Sequence, residues 1–140
     1  MASLYKRCLT VLVGLMFPLL SCSASMEGGW ILLASSDDGS KWEAKAGSFE
    51  FSKNKNDVPI AVLAGRVVSS KPSKIDLHKW YVSAGDCKNK MGKLVTLNVS
   101  GEYQFENDFL YDSGNVASGI AKFICDVARQ AIKNTDGKSL

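Results

Sequence analysis

The sequence predicts an α+β domain in two layers, an antiparallel sheet of about six strands followed by one C-terminal helix. Two observations lead to this prediction. From residue 30 to about residue 106, apolar residues form short runs or alternate with polar ones, and turn-forming residues separate these runs. After residue 113 the apolar residues recur at spacings of three and four, which is typical of an amphipathic helix.

The first half of this region is predicted to form strands. The first covers residues 30–36 and passes through an Asp-Asp-Gly turn into a second strand over residues 40–45. A short strand follows at residues 48–51. Residues 59–69 form the longest apolar run, which indicates a central strand that is buried on both faces.

Three further strands are predicted before the helix, at residues 79–84, 93–99 and 102–106. Gly85 interrupts the first of them before Cys87. The last alternates between polar and apolar residues, so Tyr103 and Phe105 are expected to face inward together.

The helix is predicted from about residue 114 to residue 133, with Ser113 as its N-cap. Cys125 falls at the margin of its apolar stripe. The positions that define the stripe are Val116, Ile120, Phe123, Ile124, Val127, Ala131 and Ile132.

The first 24 residues have the composition of a secretory signal. Lys6 and Arg7 precede an apolar run over residues 9–20, and small residues follow it. The run is too short to span a bilayer as a helix, and Pro18 interrupts it. The sequence therefore predicts export from the cytoplasm.

The motif Leu19-Leu20-Ser21-Cys22 resembles the lipobox of bacterial lipoproteins. The resemblance implies that Cys22 carries acyl chains such as palmitate and becomes the first residue of the mature chain, which gives stable membrane anchoring. Ser23 is similar to the pattern that directs such proteins to the outer membrane, facing the periplasm or the cell surface. Ordinary cleavage after Ala24 is the alternative.

With the lipobox, the chain divides into a signal peptide (1–21), a short tether (22–29) and one domain (30–140). No internal repeat or linker divides that domain further.

The cysteine count predicts one disulfide. Cys8 leaves with the signal, and Cys22 is either lipidated at the lipobox or removed by cleavage after Ala24, so Cys87 and Cys125 remain as a pair in an oxidising compartment. A metal site is the competing interpretation, but one His and no Cys-x-x-Cys spacing supply few ligands. We expect no cofactor.

Charge excludes nucleic acid as the expected partner. The formal net charge of +3 falls to +1 when Lys6 and Arg7 are removed with the signal, and no basic stripe is left. Residues 53–79 are locally basic, which indicates either a solvated loop or a contact surface for an acidic partner. The side chains of this candidate surface are Lys53, Lys55, Lys71, Lys74 and Lys79.

The order of these features resembles the surface-adhesin protein E family of bacterial lipoproteins. The shared features are the lipobox, an early Trp30, a short hairpin, a long apolar strand, a Trp-Tyr strand that runs into Cys87, and a terminal helix that holds Cys125. The resemblance implies a twisted sheet with the helix laid on it and joined to it by the disulfide. It also implies adhesion to host matrix or plasma proteins and no catalytic residues.

The residues themselves predict a protein-binding molecule and no enzyme. His78 is the single His, so no nucleophile-and-base arrangement is indicated, and we expect it at the surface or at a strand edge. Three roles stay open: an adhesin anchored in the envelope, a periplasmic inhibitor or immunity lipoprotein that blocks an enzyme or toxin, and a structural accessory. An exposed edge strand would also allow two copies to pair as a homodimer.

Overall fold

A computed structural model describes residues 26–139, with side chains over residues 28–134. The predicted signal peptide and Cys22 lie outside the described residues. One antiparallel sheet and a C-terminal helix confirm the predicted α+β class. The elements are β1 (Met26–Glu27), β2 (Trp30–Ser35), β3 (Lys41–Lys45), β4 (Glu50–Lys53), β5 (Pro59–Ser70), β6 (Ser73–Ser83), α1 (Ala84–Asn89), β7 (Met91–Leu97), β8 (Tyr103–Leu110) and α2 (Val116–Ser139).

The described strands lie in the order β1-β2-β3-β5-β6-β7-β8, and β4 pairs with the first part of β5 beside β3. The two ends of this order are β1, which has two residues, and β8, which has eight. The predicted central strand is confirmed, since β5 pairs with β6 along almost its whole length and Ile60, Ala61, Val62 and Leu63 are all buried. Residues 26–29, expected in the tether, join the sheet as β1 and its turn.

Helix α2 packs on one face of the sheet and completes the core. Its inner face combines the large side chains of Ile120 and Ile124 with small ones such as Ala121 and Ala128. Cys125 is fully buried on this face. The buried core residues are Ala44, Ala61, Leu63, Trp80, Val82, Leu94 and Phe109 from the sheet, and Ile120, Ala121, Ile124, Cys125 and Ala128 from the helix.

The second half of the sheet differs from the prediction in two places. Strand β6 begins at Ser73, because residues 73–83 continue the hairpin with β5. The short helix α1 then follows where only an interruption was expected. It begins because the Ser83 hydroxyl accepts a hydrogen bond from the Asp86 amide at 3.1 Å, and it ends at Lys90 in a left-handed conformation.

A β-bulge changes the orientation of β8. Thr96 pairs with Phe105, but the next residue, Leu97, pairs with Tyr103, so Gln104 is the extra residue. Tyr103 and Phe105 therefore lie on opposite faces of the sheet, and both are at least half exposed. The expectation that they face inward together is wrong.

The beginning of α2 is fixed to the end of β8. The Asn115 side chain accepts the Ser118 amide at 2.8 Å, so Asn115 is the N-cap and the predicted cap at Ser113 is wrong. The Ser118 hydroxyl in turn accepts the Leu110 amide at 3.0 Å. Ser118 is buried, and this bond places the first turn of the helix against the last residue of the edge strand.

Candidate functional site

The predicted disulfide between Cys87 and Cys125 is present, with a Cα–Cα distance of 5.3 Å. Cys87 lies in α1 rather than in a strand, so the bridge joins the two helices. Because α1 follows β6 directly, the bridge holds α2 on its face of the sheet.

The five lysines of the predicted partner surface do not form one patch. Lys53 and Lys55 lie beside the beginning of β5, whereas Lys71 and Lys74 lie in and after the turn at its far end. The 12 residues of β5 separate these two pairs by roughly 36 Å. Lys79 lies on β6 between them, opposite Ala64.

Two of these lysines are also paired with acidic neighbours. Lys53 lies 3.8 Å from Asp57, and Lys74 lies 3.4 Å from Asp76. The four side chains are between 41% and 83% exposed, as expected for a solvated surface. The linear run of positive charge is therefore not a single surface in the fold.

Strand β8 is a free edge of the described sheet, because it pairs with β7 alone. The Tyr111 amide donates to the Lys90 carbonyl at 3.1 Å, whereas the Leu110 amide points away from β7 toward Ser118. Antiparallel ladders alternate in this way, so the backbone groups of Glu106 and Asp108 also point outward. Neither has an outward hydrogen-bond partner among the described residues.

Strand β8 has only part of the usual protection of an edge strand. Natural edges are protected by charged side chains, especially Lys, by Pro or by bulges, and β8 contains neither Lys nor Pro. Its protection is limited to the carboxylates of Glu106 and Asp108 and to the bulge at its beginning. Only Phe109 of the eight residues is buried.

Acidic groups give β8 its charge. Lys93 of β7 contacts Asp108 at 2.5 Å and Glu106 at 3.9 Å, and the hydrogen bond that Lys93 donates to Asp108 raises the pKa of Lys93 above its ordinary value. Desolvation, with Glu106 as the second cause, raises the pKa of Tyr103. Lys93 is thus the single positive charge near the two carboxylates of Glu106 and Asp108, so this part of the edge has a net negative charge.

The sheet face opposite α2 has no helix on it within the described chain. Arg66 of β5 makes the central contacts on this face: its Nε lies 2.7 Å from Glu43 Oε1, and its guanidinium carbon lies 4.0 Å from the centre of the Trp30 ring. These contacts connect strands β2, β3 and β5. Leu32, Ile75 and Leu77 remain more than 40% exposed on this face.

His78 lies on the inner face of the sheet, not at an edge. Its Nδ1 is buried without a hydrogen-bond partner, and its ring centre is 6.2 Å from that of Trp80. It lines a cavity of about 430 Å³ below the beginning of α2, together with Trp42, Thr96 and Asn107. Among the described residues, no three His, Cys, Asp or Glu side chains converge as a metal site.

Within residues 26–139, no helix is both long and apolar enough to cross a bilayer. A scan against family models, a search of curated proteins and a search of solved structures each gave no match to this chain. The geometry of the chain's own residues therefore carries the functional proposal.

Proposed function

We propose that this protein is a lipid-anchored bacterial envelope protein that acts by binding another protein along the free edge of β8. The observation that carries the proposal is the outward, unpartnered backbone of Glu106 and Asp108 on an eight-residue edge strand. Such an edge accepts an extended segment as a further strand. Main-chain hydrogen bonds then supply affinity, and the flanking side chains supply selectivity.

The charge of β8 favours one kind of segment. Opposite charges on directly paired residues stabilise adjacent strands, whereas like charges oppose pairing. Glu106 and Asp108 have only Lys93 as a cationic neighbour among the described residues, so a strand with basic residues opposite them would neutralise the remaining negative charge. Tyr103 and Leu110, which are 60% and 49% exposed, offer apolar contacts at the two ends.

The position of the proposed anchor supports this arrangement. Cys22 precedes the edge strand β1 by only a few residues, whereas β8 lies at the other end of the strand order. Six strand spacings separate these edges, or roughly 29 Å. A lipid on Cys22 would therefore hold β1 near the outer membrane and leave β8 available to a partner. We propose a host matrix or plasma protein as that partner, in keeping with the resemblance to the adhesin family.

Mass spectrometry of the protein isolated from its cells tests the anchor. We expect a mature chain that begins at an acylated Cys22. An unlipidated chain that begins at Ser25 would contradict the anchor. Protease added to intact cells then tests the adhesin role, because a surface protein is cleaved and a chain that faces the periplasm is not.

A set of three variants tests the edge in binding assays of the full chain against immobilised matrix and plasma proteins. Glu106→Pro removes an outward N–H without removing a β7 bond, so it should fold and lose binding at least tenfold. Glu106→Gln keeps that N–H and should lose much less. Asn107→Pro removes a bond to β7 and should destabilise the sheet. Equal binding by the parent and Glu106→Pro, or binding to none of the panel, would contradict the proposal.

An enzyme inhibitor is the second candidate, and the loop between β7 and β8 favours it. The Asn98 side chain accepts the amides of Ser100 and Glu102, each at 2.9 Å, and donates to the Glu102 carboxylate at 2.8 Å. An exposed loop whose conformation is fixed by such hydrogen bonds is suited to insertion into an enzyme cleft. Loss of lysozyme or toxin tolerance on gene deletion, restored by Glu106→Pro but not by Asn98→Ala, would favour this role over edge binding.

A further inference from the structure

An apolar cavity of about 290 Å³ lies between α1, α2 and the strands β4 and β5, away from the β8 edge. The disulfide forms part of its wall, because both Cys87 and Cys125 line it. The remaining apolar lining includes Phe51, Ala61, Ala84, Ala128 and Ile132.

Small side chains leave this space open. Ala61 and Ala128 are buried at its floor and Ala84 stands at its mouth, so no large side chain fills it. Phe51 and Ile132 also line the cavity, yet they are 52% and 50% exposed. Exposed apolar groups around an apolar cavity are typical of a site that an apolar ligand covers.

Two cationic side chains, Lys88 and Arg129, line the same cavity, and only Arg129 is paired with an acidic residue. Arg129 donates to Asp126 at 2.9 Å and to the Tyr111 hydroxyl at 2.6 Å. Lys88, in the last turn of α1, has no ion pair among the described residues. An anionic group at the mouth would meet a positive charge that nothing else in the described chain neutralises.

We propose that this cavity binds a medium-chain fatty acid, with the alkyl chain inside and the carboxylate beside Lys88. The apolar lining fits an unbranched hydrocarbon, and the charge of Lys88 complements a carboxylate. At roughly 30 Å³ for a group the size of a water molecule, the volume holds about ten carbon atoms. This site is independent of the β8 edge and does not depend on the proposed function.

Photo-crosslinking tests the site on the purified full chain, with a diazirine derivative of decanoic acid as the probe. We expect mass spectrometry to place the label on residues that line the cavity, Phe51 and Ile132 above all. Unlabelled decanoic acid should compete, and decanol should compete at least tenfold less well because it lacks the carboxylate.

Three variants complete the test. Lys88→Glu should raise the concentration of decanoic acid needed for half-competition at least tenfold, and Ala84→Phe should abolish labelling by filling the mouth. Lys71→Glu makes the same charge change at the far end of β5 and should behave as the parent. Ala84 is exposed, so the Ala84→Phe variant should fold. If it does not fold, the comparison of Lys88→Glu with the parent still tests the proposal. Labels outside the cavity, equal competition by decanol, or Lys88→Glu matching Lys71→Glu would overturn the proposal.

Discussion

Gly65 of β5 lies directly beneath the indole ring of Trp80 on the neighbouring strand. A Cβ atom at residue 65 would lie 2.3 Å from Trp80 Cζ3 and 2.3 Å from the carbonyl oxygen of Glu43. The absence of a side chain at residue 65 therefore leaves room for the ring of Trp80, a core residue that is only 3% exposed.

Gly65→Ala should destabilise the domain, because backbone on one side and an enclosed ring on the other leave the new methyl group no space. We expect a loss of about 1–3 kcal/mol in the free energy of unfolding, as for other overpacked cores. Gly85→Ala is the matched control, since a Cβ there meets nothing within 4 Å and lies in a helix. Urea denaturation checks both. Unfolding of Gly65→Ala at the parental midpoint would show that the ring does not need the glycine.

Removal of the disulfide should cost more. Cys87 and Cys125 are 38 residues apart, and the chain-entropy model gives roughly 3 to 4 kcal/mol for a loop of that size. The double variant Cys87→Ala/Cys125→Ala should unfold at lower urea concentration than the parent and should not respond to dithiothreitol. The parent should lose a similar amount when it is reduced. A parental midpoint that is unchanged by reductant would mean that the bridge contributes no stability.

Arg66 should stabilise the outer face of the sheet more than an exposed lysine does. Arg66→Met leaves the Glu43 carboxylate, which is 17% exposed, without its partner, so we expect a loss of about 2 kcal/mol. Lys74→Met removes the cation of a largely exposed pair and should change stability by about 0.5 kcal/mol or less. Thermal unfolding of the two variants gives the comparison. Equal effects would remove the special role of Arg66.

Asp38 should make the turn between β2 and β3 sensitive to acid. Its carboxylate accepts hydrogen bonds from the Ser36 hydroxyl and, at 2.9 Å, from the Ser40 amide, and these bonds hold the pKa of Asp38 below its ordinary value of 3.8. Because the pKa is lower in the folded state, the stabilisation is present above about pH 4 and is lost as the pH falls through the folded-state value.

Asp38→Asn should therefore be less stable than the parent at pH 7, and the difference should shrink steadily below pH 4. Asp37→Asn serves as the control, since the Asp37 carboxylate has no hydrogen bond among the described residues. Urea midpoints measured from pH 7 to pH 2 check this. A difference between Asp38→Asn and the parent that stays constant over this range would contradict it.

Most elements were predictable from sequence because each buries one face or both. The apolar run of β5 and the helical period of α2 record that burial directly. The short helix α1 was not predictable in this way, because none of its residues is fully buried and a single cap at Ser83 begins it. The bulge at Gln104 was hidden for a different reason, since register depends on the pairing with β7 and not on alternation alone.

Of the candidate sites, the disulfide was predictable from sequence, whereas the lysine surface and the β8 edge were not. Cysteine counting predicted the disulfide, because the expected signal cleavage and lipid anchor account for Cys8 and Cys22. The lysine surface was inferred from distance along the chain, and the hairpin of β5 and β6 carries its members to opposite ends of a long strand. Sheet order makes β8 an edge, and order is a tertiary property that no local pattern records.

Site-specific photo-crosslinking in living cells tests the central claim most directly. A photoreactive amino acid at Tyr103, on β8, is compared with one at Lys55, in the exposed turn before β5. We predict a discrete cross-linked partner from position 103 and none from position 55, and we predict that Glu106→Pro abolishes the product. Cross-links from position 103 that persist in the Glu106→Pro variant, or that never form, would contradict the binding of a partner at this edge.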